Sequence, residues 1–418
     1  MIPDKTFPFS TKHFYIALGV FILLMKASLF TQRLVDWDEI VYLYLSEHMG
    51  WFLGNYTLHG SFIERALTFN VYSATVFAHP PLIPYMIKVL SLFFSPLISA
   101  KIINLGLVFL SFFLIYNISI FLSDSKGALI ATSLWAICPI FNLESNLIHL
   151  DFPLGVFLLL GIWFFIRYQR SPEKIHELFL SAIAFVLAML TKYYGPIYIL
   201  IPFGLVMAER NLYRDRKNIF IFFSILLVGF VWWLYIFLEF GSLIPPEFIG
   251  YRDGKIFSTP YLKSISERKW YDLWLYFAAI CPLFFVYLAA IASYISQLAR
   301  NLNAHLTDPL NVRILVIING TVITCIVIFS LINAYAHGYW TMRHIFPVYP
   351  VIYITIGYVI SLLLSKKESR LNAYLLVFIF LNMVFMSFST ILTMLNQAGL
   401  KAIPAFYFWV PGLNVFYS

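Results

Sequence analysis

Apolar runs follow one another along almost the whole chain, and charge is confined to the gaps between them. The runs cover 14–31, 82–97, 99–122, 127–143, 152–167, 177–191, 193–208, 219–240, 273–296, 314–333, 346–364 and 371–394. A helix of about 20 apolar residues spans the hydrocarbon core of a bilayer. Only 11% of the 418 residues are charged and the mean hydropathy is +0.83, whereas a soluble domain is nearer a quarter charged. The expected fold is an all-α polytopic integral membrane protein, one helical bundle over 1–418 with about 11–12 transmembrane segments.

The formal net charge of +8 does not indicate nucleic acid as a partner. The Lys and Arg residues cluster in short loops between apolar runs, as topology determinants do. Cys138, Cys281 and Cys325 lie in or beside apolar runs without CxxC spacing, so no disulfide framework or zinc site is implied. The first run follows Lys12 and His13, lacks a small-residue cleavage site, and reads as a retained helix.

The basic loops fix an orientation. Arg167, Arg170 and Lys174 form one, and Arg210, Arg214, Arg216 and Lys217 a second. Arg300 with Arg313, and Lys366, Lys367 and Arg370, form two more. The positive-inside rule puts these loops and the N-terminus, with Lys5 and Lys12, in the cytoplasm of a multi-pass membrane protein. The segment 31–81, Asp151, the turn at Lys192, the loop 241–272 and the loop 334–345 with Arg343 then share the opposite, external face. One step does not close: three apolar segments within 82–143 separate two external points, where an even number is required. The short 127–143 run contains Pro139 and is the expected re-entrant or non-crossing one.

Charge at a membrane boundary is costly and needs a reason. Val35-Asp36-Trp37-Asp38-Glu39 opens a segment that reads as a helix along the interface, with Val41, Leu45 and Phe52 on one apolar face. Asp36 and Glu39 have capping-box spacing. Asp38 has no such task, and a carboxylate half out of water at a helix start can act as a general base or simply be solvated. His79-Pro80-Pro81-Leu82 gives a rigid entry to the next run, prolines being tolerated in a first helical turn. His79 itself is either a donor to a phosphate or an acid, or an ordinary interfacial histidine.

Glu144, His149 and Asp151 gather around a second external edge, where Asp151 can cap the run at 152–167 with Pro153 in its first turn. Asp38, His79 and Asp151 also carry the ligand types of a divalent-metal site, although their long-range spacing gives no further support and no cofactor is required. Lys192 sits at a break between two runs and is either a snorkelling lysine or a phosphate partner. Arg343 is either a bidentate phosphate ligand or an aromatic-flanked interfacial anchor. The loop 241–272 reads as a lid or as a solvated connector.

Asp38-Glu39, then His79-Pro80-Pro81-Leu82, then Asp151 with Pro153, then Thr191-Lys192-Tyr193, then Arg343 four residues before Pro347 occur in an order that resembles the polytopic GT-C glycosyltransferases of the protein O-mannosyltransferase and aminoarabinose-transferase type. The resemblance covers about residues 36–350. It implies a sugar donor carried on a polyprenyl phosphate, a lipid, glycan or protein acceptor, and transfer on the non-cytoplasmic face. It implies catalytic roles for Asp38 and, on the acceptor side, Glu39. Asp151 would shape the site, and Lys192 and Arg343 would hold the donor phosphate, with His79 from its own chemistry a further candidate there. The implied reaction is a single inverting displacement. Two departures stand out: His344 follows Arg343 where the family often has Tyr, and the chain ends soon after its last run, so a protein-mannosylating role is not expected. A flippase or other transporter and a lipid-binding scaffold are the rival classes. Transporters more often hold charge at the midplane and show internal repeats.

Overall fold

The computed structural model describes residues 37–52, 54–63, 76–77, 79–208, 216–241, 310–335 and 344–365, with isolated positions in 16–26, 287–291 and 377–386. Asp36, Arg343 and nearly all of the loop 241–272 and of the runs 273–296 and 371–394 lie outside them. The described architecture is all-helical, as expected.

Helix α1 (Trp37–His48) packs on α2 (Leu82–Leu90) and α3 (Pro96–Leu122). Its Val41 and Leu45 are buried, so it is held against the bundle. Phe52 does not share that face: the helix stops at His48, and Phe52 is 99% exposed.

Helix α2 has nine residues. At about 1.5 Å per residue it is roughly 14 Å long, half of what a crossing needs. The apolar run continues to residue 97, but the helix does not. The Ser91 hydroxyl bonds back to Ile87 O, and Ser95 with Pro96 starts the next helix, Ser95 Oγ accepting from Ile98 N–H at 3.4 Å.

The segment 127–143, expected to be re-entrant or non-crossing, is two helices broken at Ile137–Cys138. Helix α4 (Ser125–Ala136) runs antiparallel to α12 (Tyr349–Ser365), and the short α5 (Pro139–Glu144) follows it. At one end the Asp124 carboxylate caps α4 through Gly127 N–H at 2.7 Å and accepts from Ser361 Oγ at 2.7 Å. At the other, Trp135 lies against Tyr353 and Phe346, with centroids 5.9 and 5.8 Å away. Because α3 ends beside Arg170 and α6 begins at Asp151, the segment 125–150 returns the chain from one end of α6 (Asp151–Arg170) to the other.

Helices α3 and α6 (Asp151–Arg170) are each long and apolar enough to cross a bilayer. The Arg170 guanidinium lies 4.2 Å from the Phe121 ring, which brings together the C-terminal ends of α6 and α3. Helix α7 (Ile175–Met189) starts at this Arg170 end, where Arg167 pairs with buried Glu177 at 2.6 Å. It finishes beside Lys192 at the opposite, Asp151 end. A 3₁₀ turn (Gly195–Ile199) leads into α8 (Leu200–Ala208). The run 219–240 is two helices, α9 (Arg216–Val228) and α10 (Val231–Phe240), bent by 42° at Gly229–Phe230. Helix α11 (Leu310–Tyr335) contacts α12, with Thr355 Oγ1 donating to Asn319 Oδ1 at 3.0 Å.

The α4–α12 contact depends on glycine. A Cβ added at Gly357 would lie 2.5 Å from Gly127 O and 2.8 Å from Ala131 Cβ. Neither neighbour is a flexible side-chain tip, so backbone must move. Gly357→Ala is expected to cost about 1–3 kcal/mol, the usual cost of overpacking, read as a lower Tm in detergent. Gly320→Ala, where nothing lies within 4 Å, is the control expected to leave Tm unchanged or slightly raised.

Candidate active site at the Asp151 end

Asp151 is the first residue of α6, and Lys192 follows α7 at the break before the 3₁₀ turn. Lys192 Nζ donates to Asp151 Oδ2 at 2.7 Å, with side-chain exposures of 2% and 0%. Asp151 was expected to be able to cap α6. The N-cap is Leu150, without a side-chain cap, and the carboxylate serves the lysine. Burying two charges is costly unless they are paired and hydrogen-bonded, so this pair holds two distant elements in fixed register.

Aromatic rings surround the lysine. Nζ is 4.9 Å from the centroid of the Tyr194 ring. Tyr194 in turn lies 4.8 Å from the His344 ring and 5.4 Å from Phe329. The Tyr198 hydroxyl donates to His344 O. His344 is therefore part of the aromatic wall beside Lys192. Arg343, its neighbour in sequence, lies outside the described residues.

Helix α6 and the turn at Phe346–Val348 approach closely. A Cβ on Gly155 would lie 3.0 Å from Pro347 Cα. One helical turn after Asp151, the helix thus accepts the backbone just downstream of Arg343 and His344.

His79 is fixed from several sides. Its carbonyl accepts from Tyr56 OH at 2.9 Å. Its ring meets Tyr193 at 5.0 Å, Phe77 at 5.4 Å and Tyr42 at 6.1 Å. Tyr193 is next to Lys192 in sequence, and Tyr42 lies one helical turn after Asp38 on the same side of α1. His79 therefore bridges the helix that carries Asp38 to the turn that carries Lys192. Asp38 stands in the first turn of α1 and is half-buried.

Glu39 is placed differently from its neighbour. It is buried, and its Oε1 accepts from Ile148 N–H at 3.2 Å. Lys101 of α3 interacts electrostatically with it. The capping-box spacing with Asp36 suggested a local partner, but Asp36 is outside the described residues and this contact reaches 109 positions along the chain.

The segment 140–151 is buried throughout. His149 Nδ1 and Glu144 Oε2 are 2.8 Å apart within it. Leu147 O accepts from Asn104 Nδ2 of α3 at 2.7 Å. Lys26 was not singled out in the sequence, yet it reaches this segment. Its Nζ lies 2.7 Å from Ser145 Oγ, 2.8 Å from Asn146 Oδ1 and 3.4 Å from Asn142 Oδ1. The available signal was that Lys26 is the one charge inside the run 14–31.

Of the residues expected at the site, Asp151, Lys192 and His79 are drawn to one end, and α1 brings Asp38 and Glu39 to it. Among the described residues no three His, Cys, Asp or Glu side chains converge in a way that could hold a metal ion. The geometry supplies a buried cation held by a carboxylate, a histidine among aromatic rings, and a half-buried carboxylate on an adjoining helix. Those are the parts needed to bind a phosphate-bearing group and to accept a proton.

Residues 78–236 match the family model described as dolichyl-phosphate-mannose-protein mannosyltransferase. Among solved structures, the chain is similar to ArnT from Cupriavidus metallidurans bound to undecaprenyl phosphate, at 16% identity and a TM-score of 0.57. That match covers 86% of this chain and 61% of the other. The chain has the GT-C fold. The chain is also similar to the apo oligosaccharyltransferase of Archaeoglobus fulgidus, at 14% identity and a TM-score of 0.58, over 93% of this chain and 56% of the other. In these two matches it spans less than two thirds of the other chain's length. A comparison with curated protein sequences gives no match. The matched family segment includes His79, Asp151 and Lys192, whereas Asp38 and Arg343 lie outside it.

Proposed function

We propose that this GT-C protein transfers a sugar from a polyprenyl-phosphate carrier to an acceptor hydroxyl or amine. The observation that carries the reading is the buried Asp151–Lys192 pair, set beside the His79 and Tyr193 rings at the end of the bundle to which α1 brings Asp38. The related Cupriavidus metallidurans protein was solved with undecaprenyl phosphate, and the Archaeoglobus fulgidus AglB with dolichol-phosphate and an inhibitory peptide. Those ligands suggest the chemical class of donor for this chain.

In the proposed reaction the Lys192 cation faces the donor phosphate and stabilises it as the leaving group. Asp151 fixes where that cation points. Arg343, adjacent in sequence to His344, supplies a second cation to the same phosphate. Asp38 takes the proton from the acceptor as its oxygen or nitrogen attacks the anomeric carbon. The bond from that carbon to the phosphate oxygen breaks, and polyprenyl phosphate leaves. One displacement inverts the anomeric configuration. Glu39 fits better as a support that holds Asp38 against the Ile148 backbone than as a group that meets the acceptor. The Arg170 end, with its basic loops, is assigned to the cytoplasm and the Asp151 end to the external face.

The test uses the purified protein in liposomes with a polyprenyl-phosphate sugar labelled in both sugar and lipid, together with candidate acceptors. Free polyprenyl phosphate and a labelled acceptor are expected in equal amounts. Movement of the intact donor between leaflets without cleavage would instead identify a flippase and overturn the proposal.

A further inference from the structure

The segment between α4 and α6 breaks helical structure inside a buried part of the protein, where every freed backbone group needs a partner. Asn142 Nδ2 donates to Ala136 O at 2.8 Å and to Cys138 O at 3.0 Å. Ser145 Oγ donates to Phe141 O at 2.5 Å. The oxygens of these same two side chains, and that of Asn146, face Lys26 Nζ. A protonated lysine has three N–H donors, and three acceptors stand in place. The lysine also lies 4.8 Å from the Phe141 ring.

Lys26 belongs to the packed side of the first run. Ile16, Val20 and Leu23 are exposed on one side, whereas Ile22 and Lys26, four residues apart, are buried. The first run is thereby tied to the break by a polar network rather than by apolar packing alone. Fully satisfied buried networks rigidify the elements that they join.

Downstream of the break, the chain runs directly into the candidate site. Asn104 holds Leu147 O and Glu39 holds Ile148 N–H. Three residues on, Asp151 holds Lys192. The segment thus links Glu39, next to the proposed base, with the carboxylate that aims the proposed phosphate cation. Lys26 anchors the upstream end of that link.

We propose that Lys26 is a positioning residue for the transfer reaction: it clamps 142–146 so that Asp38 and the Asp151–Lys192 pair keep their separation. This rests on the function proposed above. Lys26 touches neither reacting group, so its loss acts on turnover through geometry. A misplacement of about 1 Å at a reacting centre can cost on the order of a hundredfold in rate.

The experiment compares Lys26→Met and Lys26→Arg with the parent chain, each in a background where Cys281 and Cys325 are serine. Cys138, which is fully buried beside the clamped segment, then reports on it through alkylation by a small thiol reagent. The expected result for Lys26→Met is faster Cys138 labelling and a turnover loss of tenfold or more, up to about a hundredfold, with donor affinity near that of the parent. Lys26→Arg, which keeps the donors, restores most of the turnover, whereas a residue that only stabilises the fold would lower Tm, binding and turnover together. Parent-like turnover and labelling in Lys26→Met overturn the proposal, as does a proportional loss of binding and turnover with Cys138 still protected. If the parent protein itself transfers no sugar, the proposed function fails and the labelling alone decides whether the clamp exists: faster in Lys26→Met supports it, unchanged overturns it.

Discussion

Lys192→Met lowers the stability of the folded protein by about 3–5 kcal/mol, the range found when one partner of a buried ion pair is removed. The cause is the carboxylate left behind. Asp151 is fully buried and Lys192 Nζ lies 2.7 Å from it, so the methionine variant keeps a dry negative charge without its counter-charge. The double variant Asp151→Leu with Lys192→Met removes both charges and is expected to regain most of that stability, because an apolar pair of similar volume is often neutral or better. It does not regain turnover, since the proposed phosphate cation is gone. Thermal unfolding in detergent followed by tryptophan fluorescence reads the first effect, and the liposome assay reads the second. A single variant with unchanged Tm would mean that the pair contributes nothing to the fold. A double variant that turns over normally would remove Lys192 from the mechanism.

Much of the bundle was legible in the apolar runs, because a span must be long, apolar and continuous. The runs at 152–167 and 177–191 became α6 and α7 with shifts of a few residues. The break at Lys192 stood where the sequence indicated. The run 82–97 misled because composition cannot distinguish a helix from an apolar turn. Leu92, Phe93 and Phe94 continue the run and are all exposed in the turn before α3. Ser95-Pro96 was the local sign of a new helix start. The run 127–143 carries its proline at the junction of two helices, α4 and α5, a break that composition alone does not place.

The grouping of Asp151 and Lys192 at one end was legible in the sequence, but their contact was not. The basic loops, read by the positive-inside rule, put Asp151 and Lys192 on one face in the sequence. The bond between them joins residues 41 positions apart, and no local pattern encodes that. Glu39 shows the limit from the other side, for a good local motif stood beside a long-range contact to Ile148. Lys26 was missed because it does not stand at a boundary, although a charge inside an apolar run is the costlier one and asks for a partner.

The most direct test of the proposed mechanism is turnover of Asp38→Asn beside the parent protein, with donor binding measured on both. Asparagine keeps the shape of the side chain and its place in the first turn of α1 but cannot take a proton at the working pH. A positioned general base contributes about 10²–10⁴-fold, so kcat is expected to fall by that factor. Donor affinity, assigned to Lys192 and Arg343 at a different part of the site, is expected to stay unchanged. Release of polyprenyl phosphate by Asp38→Asn at a rate close to that of the parent would contradict the assignment of Asp38, and with it the single displacement built on it.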